Sequence, residues 1–205
     1  MTNLANKYWE ERFTIGTAHH SSQNGEISRD FFQNIKPSFD DLFKSSDTII
    51  EIGCGTGELS RMISDRYGKK VVGTDLSQSG IDFANKNHAN DLTTYKATDI
   101  LNDNIIEHYD LAVCSNTLEH FTNPFLVIEK ILSISDTCII LVPYNQPVTD
   151  GYDNEGGAGH VFQFTEKTFD KYQMIDWFLF KTGGWQHSSA GEEPLQMVIS
   201  LQGIL

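Results

Sequence analysis

Three glycines and a nearby acid form the part of this sequence best suited to chemistry. Gly53, Gly55 and Gly57 follow an apolar run, and Glu51 precedes the first glycine by two residues. Because glycine has no Cβ, such a loop can turn sharply and approach a ligand closely. If a helix begins directly after the loop, its free N–H groups point at the same ligand. The pattern predicts a nucleotide-cofactor turn.

The spacing of the glycines and the charge beside them narrow the class of cofactor. A dinucleotide fingerprint requires its third glycine at position 58, which is occupied by Glu58. The carboxylate of Glu51 would repel a diphosphate but would attract a cofactor that carries a positive sulfonium and a free amino group. The sequence therefore favours a cationic cofactor over a dinucleotide.

A second acid stands at the end of the next apolar run. Asp75 closes the predicted strand 70–76, where a carboxylate can accept hydrogen bonds from the ribose hydroxyls of a nucleoside bound at the glycine turn. Proteins that bind NAD use an acid in the same way, so Asp75 indicates a nucleoside without naming it. The alternative is that Asp75 only leads into Ser77, the predicted N-cap of the next helix.

Alternating strands and helices must position these residues. Hydrophobic periodicity predicts helices at 27–36 and 38–44, a helix from the glycine turn to Arg66, and a helix from Asn123-Pro124 to Leu132. Thr165 is the predicted N-cap of a helix that ends near Tyr172, with Phe164 and Phe169 as a hydrophobic staple. The predicted strands are 48–52, 70–76, 93–97, 109–115, 136–142, 174–181 and 195–201.

The stretch EIGCGTG, residues 51–57, resembles the first motif of the class I S-adenosylmethionine-dependent methyltransferases. The resemblance implies an α/β fold, a doubly wound Rossmann-like sheet of seven strands with helices on both faces. The sheet would be mostly parallel, with an antiparallel last strand inserted between the fifth and sixth. Residues 46–205 would form this domain and residues 1–45 an N-terminal helical cap, in which YWEERF supplies Tyr8 as a contact to the cofactor pocket.

The same resemblance implies roles for residues at the ends of the later strands. Asp99 and Ile100 match an acid and an apolar residue that hold the adenine, although a loop aspartate at a strand end is the alternative. The segment 115–121 resembles the turn that lines the methionine end of the cofactor and the acceptor pocket, where His120 is read as a packing and hydrogen-bonding residue. The expected cofactor-binding residues are Tyr8, Glu51, Gly53, Cys54, Gly55, Gly57, Asp75, Leu76, Asp99, Ile100, Ser115, Asn116 and His120.

A long connection after the fifth strand carries the candidate for catalysis. Residues 143–164 have no helical or strand pattern, and connections of this length in a compact domain are usually functional or disordered. The glycine-rich part 156–159 leads into His160, which we rank first among the histidines as a general base. Trp185 and His187, between the last two strands, are candidates for the acceptor pocket, with an exposed hairpin tip as the alternative.

Composition excludes several other classes of protein. The chain has 205 residues, enough for one domain, and 28 acidic against 15 basic residues give a net charge of −13, which disfavours a nucleic-acid partner. There is no apolar run of about 18 residues, and the charged first segment argues against a signal peptide. Cys54, Cys114 and Cys138 form no C-x-x-C pair, so we expect no metal, no disulfide and a cytoplasmic protein.

Taken together, the sequence predicts transfer of a methyl group from S-adenosylmethionine to an oxygen or nitrogen atom of a small acceptor, such as a sugar or glycan precursor, with S-adenosylhomocysteine as the product. The cofactor supplies the electrophile, so the protein mainly has to position the reactants and exclude water. Two alternatives are a binding or regulatory subunit of the same fold that has lost its chemistry and, less favoured, an NAD-dependent oxidoreductase.

Overall fold

The computed structural model describes residues 3–15, 22–148, 159–183 and 195–203. Its helices are α1 (Asn3–Thr14), α2 (Ser22–Asn34), α3 (Pro37–Ser45), α4 (Glu58–Tyr67), α5 (Gln78–Asn87) and α6 (Pro124–Ser133). Its strands are β1 (Thr48–Ile52), β2 (Lys70–Asp75), β3 (Thr93–Ala97), β4 (Tyr109–Ser115), β5 (Ser135–Pro143), β6 (Met174–Lys181) and β7 (Leu195–Gln202). Two short 3₁₀ helices cover Leu118–His120 and Glu166–Phe169.

The strands form one sheet in the order β3-β2-β1-β4-β5-β7-β6. The pairs from β3 to β5 are parallel, and β7 runs antiparallel to both β5 and β6. The predicted doubly wound sheet, with its antiparallel last strand inserted between the fifth and sixth, is confirmed. The order reverses between β1 and β4, and a sheet of this kind binds its ligands at that point, outside the carboxyl ends of the strands.

Helices cover both faces of the sheet. On one face, α2, α3 and α4 bury Phe31, Phe43 and Ile63 against Ile49 of β1 and Val113 of β4. On the other face, α6 packs on β1, β4, β5 and β7. Among the described helices of the first 45 residues, α2 and α3 share a core with the sheet, and α1 lies over the carboxyl ends of the strands. The division of the chain at residue 45 stays a prediction.

Some predicted helix boundaries were wrong. Helix α2 begins at Ser22 and ends at Asn34, before the residue preceding Pro37 takes the extended conformation that proline imposes on its neighbour. Asn123 precedes α6, but its side chain makes no capping hydrogen bond. The helix predicted to end near Tyr172 is a 3₁₀ turn that ends at Phe169. The predicted contact between Phe164 and Phe169 is present, with ring centroids 5.8 Å apart.

Two further observations concern membrane-spanning helices and the cysteines. Within the described ranges, no helix combines the length and the apolar character needed to cross a membrane. The three cysteines are buried free thiols.

Candidate functional site

The turn between β1 and α4 is built from glycines in the left-handed region. Gly53, Gly55 and Gly57 have φ angles of 76°, 51° and 89°, which side chains of L-residues rarely tolerate. A Cβ at Gly53 would lie 2.1 Å from the Oγ1 atom of Thr117. The backbone therefore approaches the loop after β4 more closely than any larger residue would allow.

Asp75 holds this turn against the start of α5. Its Oδ2 accepts a hydrogen bond from the Gly55 amide and its Oδ1 accepts one from the Ser77 amide, each at 2.9 Å. Burial raises the pKa of the Asp75 carboxyl. Ser77 also caps α5, accepting a hydrogen bond from Gly80 N, so the predicted N-cap is confirmed, and the ribose contact of Asp75 stays a prediction. Asp75 and Leu76 thus lie at the carboxyl end of β2, beside the glycine turn.

Glu51 lies beneath the turn and is almost fully buried. The Ser60 hydroxyl of α4 donates a hydrogen bond to its Oε2 at 2.5 Å. Burial raises the pKa of Glu51 to about 7. Burial also raises the pKa of the neighbouring Cys54 thiol. With a pKa of about 7, the Glu51 carboxyl is partly protonated near neutral pH, and its contact to a cofactor stays a prediction.

Asp99 and Ile100 follow β3, as predicted. The Asp99 carboxylate accepts hydrogen bonds from the Leu101 amide at 3.0 Å and from the Asn102 side chain at 2.7 Å, so it stabilises the local turn. Ile100 is buried with 6% exposure. The loop-aspartate interpretation therefore describes these contacts of Asp99, and a hydrogen bond to adenine stays a prediction.

The residues after β4 include a strained asparagine. Asn116 has a φ of 48°, and its Nδ2 donates to the Ser115 hydroxyl at 3.1 Å. Its Oδ1 is buried and accepts no hydrogen bond from the described residues. Buried polar atoms normally have partners, and non-glycine residues in this region cluster at functional sites. Asn116 therefore presents an acceptor suited to a ligand at the carboxyl end of β4.

Next along the chain, three buried side chains converge. Glu119 and His120 belong to the 3₁₀ helix Leu118–His120, and His160 reaches them from the long connection. The Nε2 of His160 lies 3.9 Å from Oε1 of Glu119. Burial raises the pKa of Glu119 to about 8 and lowers the pKa of His120 to about 3, helped by the nearby His160. His160 is only 2% exposed, so it faces the interior rather than an open loop surface.

Helix α1 covers both parts of the site. The Trp9 ring meets the His120 ring at a centroid distance of 4.8 Å, and a Cβ on Gly55 would lie 3.3 Å from the Phe13 ring. Tyr8, the predicted pocket contact, is half-buried against the Arg12 guanidinium, which lies 4.9 Å from its ring centre. Trp9 and Phe13 are therefore the α1 residues that face the site.

Sequence reasoning thus missed Glu119, Trp9 and Phe13. The last two are four residues apart and share one face of a helix, which is the signal that could have identified them. Glu119 stands directly before His120 but was not singled out. Several candidates of the long connections lie outside the described residues: the glycine-rich 156–158, Trp185 and His187.

Part of the chain is similar in sequence to known methyltransferases. Residues 50–134 match the family model described as "Methyltransferase domain". The malonyl-[acyl-carrier protein] O-methyltransferase of Anoxybacillus flavithermus is 33% identical over 85 residues, which are 41% of this chain and 33% of that protein. The ubiquinone biosynthesis O-methyltransferase of Hydrogenovibrio crunogenus is 28% identical over 130 residues, 61% of this chain and 49% of that protein. The chain thus spans a third to a half of the length of these relatives.

Solved structures agree at the level of fold. The magnesium protoporphyrin IX methyltransferase of Synechocystis PCC 6803, a structure with bound S-adenosylhomocysteine, superposes with a TM-score of 0.61 at 14% identity. The match covers 95% of this chain and 86% of that one. The match of residues 50–134 to a methyltransferase domain and the shared fold agree with the resemblance first seen in residues 51–57.

Proposed function

We propose that this chain, whose class I fold contains the matched methyltransferase domain, transfers a methyl group from S-adenosylmethionine to an oxygen or nitrogen atom of a small molecule. The observation that carries the proposal is the glycine turn of residues 53–57, anchored by Asp75 at the sheet edge where the strand order reverses. The S-adenosylhomocysteine in the Synechocystis structure supports the choice of cofactor.

The proposed cofactor would lie across the carboxyl ends of the central strands. Asp75 and Leu76 would hold the ribose, with Asp99 and Ile100 at the adenine. Asn116 would use its buried Oδ1 as an acceptor toward the methionine end, which carries an ammonium donor. The remaining proposed contacts are Tyr8, Glu51, Gly53, Cys54, Gly55, Gly57, Ser115 and His120.

Charge supports a cationic cofactor over a diphosphate. Glu51 is buried and Asp75 is half-buried, and both acids adjoin the glycine turn. These acids would attract a positive sulfonium and repel a diphosphate. The net charge of −13 of the whole chain likewise favours a neutral or cationic small acceptor over nucleic acid.

The protein's part in the reaction would be positioning. The acceptor atom forms a bond to the methyl carbon while the bond from sulfur to that carbon breaks, so donor and acceptor must be held in line. Trp9 and Phe13 of α1 would exclude water from the reacting groups. His160 remains the proposed catalytic residue, because it lies beside Glu119 and His120, in the segment whose resemblance implies an acceptor pocket. The names of the two curated relatives support an oxygen acceptor.

Calorimetry and product detection test this proposal. Titration with S-adenosylhomocysteine should show one site per chain, whereas NADH should show no binding. Mass spectrometry of small-molecule extracts incubated with the protein and deuterated S-adenosylmethionine should then reveal an acceptor that gains the labelled methyl group. Binding without transfer would favour the regulatory-subunit alternative. No binding of S-adenosylhomocysteine, or tight binding of NADH, would contradict the proposal.

A further inference from the structure

The cluster of Glu119, His120 and His160 has the composition of a metal site. One ligand atom from each side chain can be chosen so that all three lie within 4.8 Å of one another, and all three residues are buried. Two imidazoles and one carboxylate are a common set of protein ligands for a divalent transition metal. The sequence did not predict this site, because His120 and His160 are forty residues apart and the expectation rested on cysteine spacing.

Backbone hydrogen bonds bring the three residues together. The amides of Val161 and Phe162 both donate to the carbonyl oxygen of Glu119, at 2.8 and 3.3 Å. These bonds fix the residue before them, His160, beside the 3₁₀ helix that carries Glu119 and His120. The cluster therefore belongs to the folded framework and does not depend on a chance approach of surface side chains.

The Nδ1 atoms of both histidines lie within hydrogen-bond distance of oxygen acceptors. The Nδ1 of His160 lies 2.9 Å from Oε1 of Gln146, and the Nδ1 of His120 lies 3.2 Å from the carbonyl oxygen of Gly159. Because both partner oxygens can only accept, each Nδ1 carries the proton of the neutral imidazole. The lone pair is then on Nε2. A histidine that ligates a metal typically has its other ring nitrogen bound to an oxygen in this way.

The Glu119 carboxyl lacks the partners that a buried acid needs. Both of its oxygens are buried, and neither has a hydrogen-bond partner among the residues described by the structure. A buried carboxyl group without hydrogen-bond partners is costly in either protonation state, and coordination of a metal is one way in which its oxygens are satisfied. Glu119 is the second, independent sign that this cluster is completed by a cation.

We propose that Glu119, His120 and His160 bind one divalent first-row transition-metal ion of the Zn²⁺ type. Mg²⁺ and Ca²⁺ prefer all-oxygen surroundings, so two nitrogen ligands disfavour them. Three protein ligands leave coordination positions open, as in catalytic rather than structural sites. His120 also contacts Trp9 of α1, which places the ion at the covered edge of the sheet.

The role that we infer for this ion rests on the proposed methyl transfer. An acceptor hydroxyl bound at an open position would lose its proton more readily. The proton passes to solvent, the oxygen bonds to the methyl carbon, and the sulfur keeps the electron pair of the broken bond as neutral S-adenosylhomocysteine. His160 would then act on the acceptor through the ion, as a ligand rather than as a free base.

Metal titration of the chelator-treated full chain tests the site without using activity. Calorimetry with Zn²⁺ should show one ion per chain, and Co²⁺ should develop visible ligand-field absorption. Glu119→Gln and His160→Ala should each weaken Zn²⁺ binding by at least about 100-fold, and Gln146→Ala by about 10- to 100-fold. The control variants His88→Ala and His108→Ala change histidines away from the cluster and should leave the affinity unchanged.

The competing outcomes are distinct. Circular dichroism and melting temperature identify folded variants, and Glu119→Gln, which is nearly isosteric, is scored separately from His160→Ala. Wild-type affinity in either folded variant, or absence of Co²⁺ absorption in the wild type, overturns the metal site. If S-adenosylhomocysteine still binds in that case, the proposed methyltransferase function stands alone. If the ion binds and the cofactor does not, the metal site stands and the proposed function fails.

Discussion

The carboxylate of Glu10 accepts a hydrogen bond from the Ser77 hydroxyl at 2.6 Å, which ties α1 to the first turn of α5. The same carboxylate accepts a second bond, from the Ser79 hydroxyl at 2.5 Å. Ser77 follows the loop residue Leu76, and Asp75 accepts a bond from the Ser77 amide. The anchor of α1 is thus one residue away from the proposed ribose site, and α1 carries the Trp9 and Phe13 side chains that cover it.

Loosening this anchor should expose the site. Glu10→Gln removes the negative charge from these bonds and leaves one oxygen as acceptor, so we expect the anchor to weaken by about 1 to 2 kcal/mol. We expect amide hydrogen exchange in α1 to accelerate by about 5- to 30-fold, because the local opening energy falls. Release of S-adenosylhomocysteine should accelerate with it in stopped-flow experiments. Glu11→Gln is the matched control. Glu11 is the next residue in the sequence, and its carboxylate forms a surface ion pair with Lys7 at 3.7 Å. Equal exchange in the two variants would show that Glu10 does not hold α1.

The glycine turn should not tolerate a methyl group. In Gly53→Ala the new Cβ would meet Thr117 at 2.1 Å, in addition to the strain of a positive φ. In Gly68→Ala the φ of 66° is similar, but no atom lies within 4 Å of the new Cβ. Overpacking typically costs about 1 to 3 kcal/mol. Urea denaturation should therefore find Gly53→Ala less stable than Gly68→Ala by about that amount, and equal stabilities would contradict the close approach.

Asp75→Asn should weaken cofactor binding by about 10- to 100-fold, which corresponds to the loss of hydrogen bonds to a charged group. An amide has one acceptor oxygen, so its NH₂ would have to face either the Gly55 or the Ser77 amide, both donors. Calorimetry with S-adenosylhomocysteine measures the change. Asp82→Asn, on the exposed side of α5, is the control. Unchanged affinity in Asp75→Asn would remove Asp75 from the proposed ribose site.

Glu51 should make stability depend on pH. Its pKa is about 7 in the folded chain against an ordinary value of 4.5, so the folded state keeps a proton that the unfolded state releases between these values. Stability from this group is therefore greatest below pH 4.5 and declines as the pH rises to about 7. Relative to wild type, Glu51→Gln should gain about 3 kcal/mol in unfolding free energy over that rise.

Urea denaturation at a series of pH values measures this difference. The exposed Glu107→Gln serves as the control and should follow the wild type throughout. If the difference between wild type and Glu51→Gln stays constant with pH, Glu51 does not hold the inferred proton.

Much of the fold could be predicted from the sequence, because it depends on residues that are neighbours along the chain. The buried strands are continuous apolar runs, and β3, β4 and β6 have the predicted bounds, because a period-two or continuous apolar pattern depends only on neighbouring residues. The glycine turn was equally clear, since only glycine adopts three positive φ angles so close together. The ends of the helices were harder to predict from the sequence. Glu166–Phe169, predicted as part of a longer helix, forms a 3₁₀ turn, in which the hydrogen bonds join residues three apart.

The sequence by itself determined the glycine turn, the strand pattern and the class of fold, because each depends on residues that are close along the chain. Only the tertiary structure decided that Trp9 and Phe13 cover that turn, and that His160 joins Glu119 and His120. Those contacts span long separations in sequence: Glu10 ties α1 to Ser77, and residues 161 and 162 pair with the backbone of Glu119. No local pattern records which distant side chains a fold will bring together.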